Sequence, residues 1–121
     1  MGNRKQRGSP DPGAGIRALR LEQLFREELN SILDSELGDS RFDGVRVTFV
    51  ELSGDGSRAR IWYSMNPPDA ARVAAAQAAF GRAAHYFRSR LSDALPLKRF
   101  PELGFRHDPA ALTDLVQEEI L

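Results

Sequence analysis

The chain lacks cysteine, long apolar runs and net charge, and each absence narrows what it can be. Without thiols there is neither a disulfide framework nor a thiolate metal site, which excludes the small disulfide-stabilised secreted scaffolds. No apolar stretch approaches the roughly 20 residues that cross a bilayer, and the polar N-terminus lacks the apolar core of a signal peptide. We therefore expect a cytoplasmic protein with no membrane partner, whose 121 residues form one domain.

Catalytic and metal-binding constellations are missing as well. The histidines are His85 and His107 alone, no serine lies in a nucleophile elbow, and no histidine or carboxylate cluster has metal-ligand spacing. The glycines of SGDGS (53–57) precede a strand, whereas a phosphate loop needs a helix N-terminus, so they indicate a hairpin turn. We predict that the protein is not an enzyme and has no cofactor and no metal.

Charge is distributed unevenly, although the 17 basic and 17 acidic residues cancel. Residues 1–26 carry six lysines or arginines against two acids, and residues 108–121 carry four acids and no base. Between them, residues 82–99 hold five bases against Asp93 alone. A neutral protein with such segments can turn a positive face toward a phosphate backbone.

Hydrophobic periodicity divides the chain into an arm, a domain and a tail. Residues 1–15, rich in glycine, proline and charge, are interpreted as a disordered basic arm, followed by a domain at 16–108 and an acidic C-terminal tail at 109–121. Apolar residues at three- and four-residue spacings predict a first helix at about 17–37 and a second helical stretch from 70 to 95.

Alternating apolar and polar residues predict the strands. Two runs joined by the SGDGS turn, 45–52 and 58–65, predict an antiparallel hairpin, and a short strand is expected at 103–107. Residues expected on the inner face are Val45, Val47, Phe49, Ile61 and Tyr63, and those expected on the outer face include Arg46, Arg60 and Trp62. The resulting α+β sandwich has helices covering one face of the sheet.

The distribution of cations on the second helical stretch favours nucleic-acid binding. Arg82 and His85 lie opposite the apolar stripe on a helical wheel, and Arg88 and Arg90 flank it. Cations placed in this way reach phosphates without disturbing the core. The alternative is that these arginines only keep a helix soluble.

A second candidate surface lies on the outer face of the sheet. Arg60 and Trp62, with Arg46 nearby, suggest stacking combined with cations, which is the way in which many proteins bind single strands. The alternative for an exposed tryptophan is local packing or a contact with another protein.

Three segments together resemble the ribosome-binding factor A family, small bacterial factors that assist maturation of the small ribosomal subunit. RLEQLFREELNSIL (20–33) resembles the first helix of the family, and LGDSRFDGVRVTFVELSGDGSRARIWYS (37–64) resembles its first loop and two strands. LPLKRFPELGFRHD (95–108) is similar to its Leu-Arg-x-x-Pro-Glu-Leu-x-Phe-x-x-Asp segment. Each segment alone is a hydrophobic pattern with a few polar residues, whereas their order and spacing together are specific.

The resemblance implies a KH-like (type II) domain of order α-β-β-α-kink-α-β, with a three-stranded sheet and helices packed on one face. KH domains that read single strands clamp the backbone with a Gly-x-x-Gly loop, which this family replaces by an Ala-x-Gly kink. The matching triplet is Ala83, Ala84 and His85, and residues 82–103 contain no glycine, which excludes a Gly-x-x-Gly clamp. We expect a helix kink at this triplet, with His85 in place of the glycine.

The resemblance also implies a function and a set of partners. It implies a cytoplasmic, monomeric ribosome assembly factor that binds the free 30S subunit or its precursor, contacts 16S rRNA, and assists late rRNA processing and cold adaptation together with other assembly factors. The residues assigned to RNA binding are Arg41, Arg46, Arg82, His85, Arg88, Arg90, Lys98 and Arg99. Two alternatives stay open: a generic KH-like module for single-stranded RNA, and a protein-interaction module that uses the outer sheet face around Trp62 and the acidic tail.

Overall fold

A computed structural model describes residues 12–35 and 37–109 of the chain. The part of the predicted arm at 1–11 and the predicted tail at 110–121 lie outside the described residues. The elements are α1 (Pro12–Ser35), a short 3-10 helix (Ser40–Phe42), β1 (Val45–Leu52), β2 (Arg58–Met65), α2 (Ala70–Ala94) and β3 (Glu102–His107). The predicted hairpin, third strand and two helical stretches are all present in this order.

Helix α1 begins earlier than predicted, at Pro12 rather than at about residue 17. Proline is favoured in the first helical turn, because its missing N–H would have had no helical partner there and its φ is already helical. Residues 12–15 therefore belong to the helix and not to the predicted arm. The helix buries Phe25, Leu29 and Ile32 completely, as their three- and four-residue spacing predicts.

The sheet has the strand order β1-β2-β3, with β1 antiparallel to β2 and β2 parallel to β3. Both helices contribute buried side chains to a single core against one sheet face, on which Val47, Ile61 and Tyr63 are buried. This α+β arrangement, with a three-stranded sheet and two helices on one face, confirms the predicted KH-like (type II) fold.

An aromatic cluster holds α2 against the sheet. Phe80 of α2 stacks on Phe105 of β3, with ring centroids 4.3 Å apart, and contacts Tyr63 and Phe42 at 4.8 Å each. The Tyr63 hydroxyl donates a hydrogen bond of 2.6 Å to Oε1 of Gln77 on the same helix. These contacts fix the rotation of α2 about its own axis, which decides which of its side chains point into solvent.

The side chains of α1 satisfy backbone groups along the free edge of β1. Asn30 accepts a hydrogen bond from the Val47 N–H at 2.8 Å and donates one to the Val47 carbonyl at 3.0 Å. The Glu22 carboxylate accepts a bond of 2.8 Å from the Leu52 N–H. Unpaired backbone groups of an edge strand can pair with another chain, and these two side chains of α1 make such pairing less favourable.

One strand residue faces the side opposite to the one predicted. Phe49 was expected on the inner face, but the β1–β2 register shifts between Val47 and Phe49, which places Phe49 opposite Trp62 and leaves it 51% exposed. A β-bulge inserts one extra residue, so every later side chain of the strand changes its face. The inward positions after the bulge are Val50, which is buried, and Leu52, which packs against the core.

The second helical stretch forms one helix at the predicted kink, and a bend of its axis there stays a prediction. α2 is a single helix that runs from Ala70 to Ala94 through Ala83, Ala84 and His85 without interruption. Alanine is the best helix former and histidine fits an ordinary helix, so nothing in the triplet requires a break. Among the described residues no side chain other than glycine has a positive φ, so the backbone at His85 is not of the kind that glycine alone adopts easily.

Candidate nucleic-acid interface

The exposed side of α2 carries most of the predicted RNA-binding residues. Asp69 caps the helix by accepting hydrogen bonds from the N–H groups of Ala71 and Arg72, and the apolar stripe is buried against the sheet. Because the helical period separates the two sides, the polar residues on the other side reach solvent. Four predicted residues are exposed there: Arg82, His85, Arg88 and Arg90.

The segment after α2 adds two further cations. Leu95 is buried, and the Phe100 ring packs 6.3 Å from that of Phe25 on α1, so both ends of the segment are fixed to the core. Lys98 and Arg99 lie between these ends and are exposed. The Arg88 guanidinium carbon lies 5.3 Å from the centre of the Phe100 ring, which is a cation–π contact.

These positions define the surface that we call the α2 surface: Arg82, His85, Arg88, Arg90, Lys98 and Arg99. The Arg88–Phe100 contact brings the segment that carries Lys98 and Arg99 beside the helix. The carboxylate within this stretch of sequence belongs to Asp93. Exposed cations thus follow one another along α2 and the segment after it, and their role in RNA binding stays a prediction.

Arg41 lies close to Arg82 but is paired with a carboxylate. Its guanidinium donates to Asp39 at 3.0 and 2.6 Å, and its backbone N–H donates to the same side chain at 3.0 Å. The side-chain hydrogen bond and the backbone hydrogen bond from Arg41 lower the pKa of Asp39 to about 2, with a smaller contribution from the charge of Arg82. Arg82 therefore lies within electrostatic reach of the pair, and Asp39 offsets part of the positive charge there.

Arg46 is not part of the α2 surface. It projects from β1 and donates hydrogen bonds of 3.0 and 3.1 Å to the two carboxylate oxygens of Asp34 on α1. Both side chains are exposed, so water and salt screen their ion pair. The structure thus separates Arg46 from the other predicted cations.

The second predicted surface is larger than the sequence indicated. The outward side chains of the three strands form what we call the open sheet face: Arg46, Phe49, Glu51, Arg58, Arg60, Trp62, Glu102, Gly104 and Arg106. Arg60 and Trp62 lie on it as predicted, and Arg60 forms an ion pair of 3.6 Å with Glu51 on the neighbouring strand. Except for Trp62, which is half-buried, the residues of this face are exposed.

Three aromatic or basic residues of this face were not predicted to lie on it, namely Phe49, Arg58 and Arg106. A signal for Phe49 was available, because the apolar spacing in β1 changes from two residues to three between Val47 and Val50. Arg106 is placed opposite Trp62 by the parallel register of β2 and β3, which no local pattern reveals.

Within residues 12–35 and 37–109, no three histidine or acidic side chains are grouped so that they could hold a metal ion. In the same part of the chain no helix has both the length and the apolar character needed to cross a membrane.

The sequence as a whole was compared with those of known families and proteins. The model of the ribosome-binding factor A family matches residues 17–121. The chain belongs to this family. The ribosome-binding factor A of Ruthia magnifica subsp. Calyptogena magnifica is 36% identical over 105 residues, which cover 87% of this chain and 91% of that protein. The protein of the same name from Heliobacterium modesticaldum is 37% identical over 95 residues, 78% of each chain.

Solved structures of ribosome-binding factor A have the same fold. The crystal structure of the factor from Thermus thermophilus gives a TM-score of 0.66 at 24% identity, and the match covers 74% of this chain and 93% of that one. A homology model of the Thermus thermophilus factor, fitted into a cryo-EM map of a 30S complex, gives a TM-score of 0.60 at 25% identity and covers 72% and 90%. The family and the fold that the sequence resemblance implied are therefore confirmed.

Proposed function

We propose that this protein is a cytoplasmic ribosome assembly factor that docks as a monomer on the free 30S subunit or its precursor and assists late processing of 16S rRNA. The observation that carries the proposal is the α2 surface, where the cations of one helix are exposed and the Arg88–Phe100 contact brings the following basic segment beside that helix. Family membership supplies the partner, since a Thermus thermophilus relative has been fitted into a map of a 30S complex.

The α2 surface suits the backbone of folded RNA better than its bases. Guanidinium and ammonium groups bind phosphate oxygens, and such contacts position a protein without reading the sequence. The surface has no Gly-x-x-Gly loop, because α2 continues as a regular helix through the place where such a loop would lie. The geometry thus favours docking on a shaped, double-stranded or folded RNA surface over clamping a single strand.

The proposed action is non-catalytic. The factor would hold rRNA in an immature arrangement, beside other assembly factors, and leave when the contacted phosphates move apart. Such a binding role makes the strongest contribution where misfolded RNA persists, which includes growth in the cold. It assigns no bond-making step to any side chain.

Co-sedimentation of the tagged protein with ribosomal fractions tests this proposal. We expect the protein in free 30S fractions at low salt and not in translating 70S ribosomes. The double substitution Arg82→Glu with Arg90→Glu should remove it from the 30S fraction, because it places two negative charges against phosphates. A matched control is Arg20→Glu with Arg26→Glu, two exposed arginines of α1.

The outcomes separate the proposal from its alternatives. An equal loss in both double variants would mean that net charge, and not the α2 surface, drives the association. If the Arg82 and Arg90 variant sediments like the wild type with the same salt dependence, the α2 surface is not the docking site. Equal binding to 70S ribosomes would contradict a role in assembly.

A further inference from the structure

We propose that the open sheet face is a second RNA site, which binds single-stranded RNA by stacking two bases on Phe49 and Trp62. Arg58, Arg60 and Arg106 would hold the adjoining phosphates. This site lies on the face of the sheet opposite to the helices, and its occupation does not depend on the α2 surface.

The first observation is a pair of aromatic side chains left on the surface. Phe49 is 51% exposed, and the ladder pairs it directly with Trp62 on β2. The bulge that turns Phe49 outward is held in part by the Thr48 hydroxyl, which donates to the Trp62 carbonyl at 3.3 Å. Two large rings side by side on the outward face of a sheet form an apolar patch, and such patches favour a role in binding.

The second observation is the distribution of charge around the two rings. Arginines project from all three strands, and the carboxylates on the same face belong to Glu51 and Glu102. Arg60 is engaged by Glu51, whereas the guanidinium groups of Arg58 and Arg106 make no hydrogen bond or ion pair with a described residue. Arg106 lies next to Trp62 in the ladder, so a base stacked there places its phosphate within reach of a cation.

The third observation is a groove that crosses the face. It has a volume of about 470 Å³ and is lined by residues of all three strands and of the hairpin turn, including Arg58, Arg60 and Arg106, while Phe49 and Trp62 lie outside its lining. Gly104 lines the groove and places no side chain in it. There is room for one, since a Cβ at this position would meet only the Ala59 carbonyl oxygen, at 4.0 Å. The groove is therefore open because of a residue choice and not because the backbone requires a glycine.

These features favour RNA over a second copy of the chain. Two copies that met face to face would oppose arginines to arginines, which is repulsive, whereas a polyanion neutralises them. Alternating rings and guanidinium groups on a flat surface serve base stacking and phosphate binding together, and such binding tolerates any base. The domain also lacks the Gly-x-x-Gly clamp, so stacking on the sheet is the route to single strands that this structure offers.

The test measures binding of a fluorescein-labelled ten-nucleotide oligouridylate to the full-length chain by anisotropy. Removing one stacking platform with Phe49→Ala should weaken binding about tenfold, while Phe49→Tyr, which keeps a ring, should stay within about twofold of the wild type. Gly104→Val fills the groove and should weaken binding with both rings intact. The matched control is Leu19→Ala, which shortens another large apolar side chain, 68% exposed on α1, and should change nothing.

The variant Arg82→Glu with Arg90→Glu separates this site from the α2 surface. It should lose 30S co-sedimentation and keep oligouridylate binding within about threefold, because its charges lie on the other side of the domain. Oligouridylate binding that is lost in this variant and kept in Phe49→Ala would overturn the proposal. The proposal would also be overturned if the wild-type protein did not bind the oligonucleotide at 100 μM, which is roughly the weakest dissociation constant of non-specific binding.

Two further outcomes would assign the sheet face to a different partner and overturn the RNA site. Phe49→Ala could weaken 30S association while oligouridylate binding is unchanged, which would indicate contact with a ribosomal or assembly protein. Sedimentation velocity of the free protein could show a dimer that Phe49→Ala dissociates, which would indicate self-association. Circular dichroism of each variant checks that the fold is retained.

Discussion

The α2 surface and the open sheet face both expose arginines to solvent, but the side chains next to these arginines differ. On the α2 surface the ring beside Arg88 belongs to Phe100, which is partly buried and packs against Phe25. On the open sheet face the ring of Phe49 is exposed beside the half-buried ring of Trp62, and Arg60 is paired with a carboxylate. The α2 side exposes the ring of Tyr86 next to its cations, whereas the sheet face pairs an exposed ring with a half-buried one on the neighbouring strand.

This difference follows from the different side-chain periods of a helix and a strand. A helix with a period of 3.6 residues places its cations outside the buried stripe, and on α2 the ring of Tyr86 reaches solvent among them. A sheet places outward residues of neighbouring strands side by side, and a bulge in β1 brings Phe49 into that array. We therefore expect long-range, salt-sensitive binding by the α2 surface and short-range binding by the sheet face, which salt weakens less.

The largest expected effect is on the salt dependence of 30S binding by the α2 surface. Neutralising two cations with Arg82→Gln and Arg88→Gln should lower 30S affinity about tenfold or more near 0.1 M salt. The slope of log affinity against log salt should become shallower by about 1.5, because each phosphate contact contributes about 0.7 to 0.9. Titrations between 50 and 300 mM salt measure both quantities.

Phe49→Ala provides the other half of this comparison. For oligouridylate binding it should lower the affinity at every salt concentration and leave the slope unchanged, since a ring carries no charge. Equal changes of slope in the two variants would mean that the two surfaces bind RNA in the same way, and the contrast would be lost.

A smaller effect is expected from the ring beneath Arg88. Phe100→Leu keeps apolar volume against Phe25 but removes the cation–π contact, so Lys98, Arg99 and Arg88 lose their common anchor. We expect 30S affinity to fall about threefold and the free energy of unfolding to fall by about 1 kcal/mol. Co-sedimentation and urea denaturation measure these two changes. Arg88→Lys, which keeps the charge, should retain stability, and a loss of stability without any loss of affinity would show that the anchor is only structural.

The sequence predicted the architecture well because buried stripes have a clear period. The three- and four-residue spacing of Phe25, Leu29 and Ile32 placed the buried side of α1, and the alternation of Ile61 and Tyr63 placed that of β2. The start of α1 was misplaced because the glycines of residues 12–15 outweighed Pro12, which is a favoured first helical residue.

Three features of the molecule were not predicted, each for a different physical reason. The face of Phe49 depends on a bulge, and a single inserted residue reverses a pattern whose period is two. The kink at Ala83–Ala84–His85 was inferred from the family resemblance, whereas helix propensity alone would have predicted the continuous helix that α2 forms. The pairing of Arg41 with Asp39 and of Arg46 with Asp34 decides how much positive charge each surface presents, and only coordinates reveal it.

The smallest expected effect concerns the carboxylate next to the α2 surface. Asp39→Asn keeps a side-chain oxygen that can accept the Arg41 N–H but removes a negative charge beside Arg41 and Arg82. We expect 30S affinity to rise about twofold at low salt and to change little at 0.3 M, where the Debye length is short. A fall in affinity would show that Arg41 must be held by Asp39 in order to bind.

The melting temperature of Asp39→Asn should also depend on pH differently from that of the wild type. Hydrogen bonds from Arg41 lower the pKa of Asp39 from 3.8 to about 2 in the folded chain, so the ionised carboxylate favours folding. For a lowered pKa this contribution is present above pH 3.8 and is lost as the pH falls through about 2. Wild type and Asp39→Asn should therefore differ in melting temperature at pH 5 and converge as the pH approaches 2. A difference that persists to low pH would mean that the substitution acts through the cap of the 3-10 helix and not through the charge of Asp39.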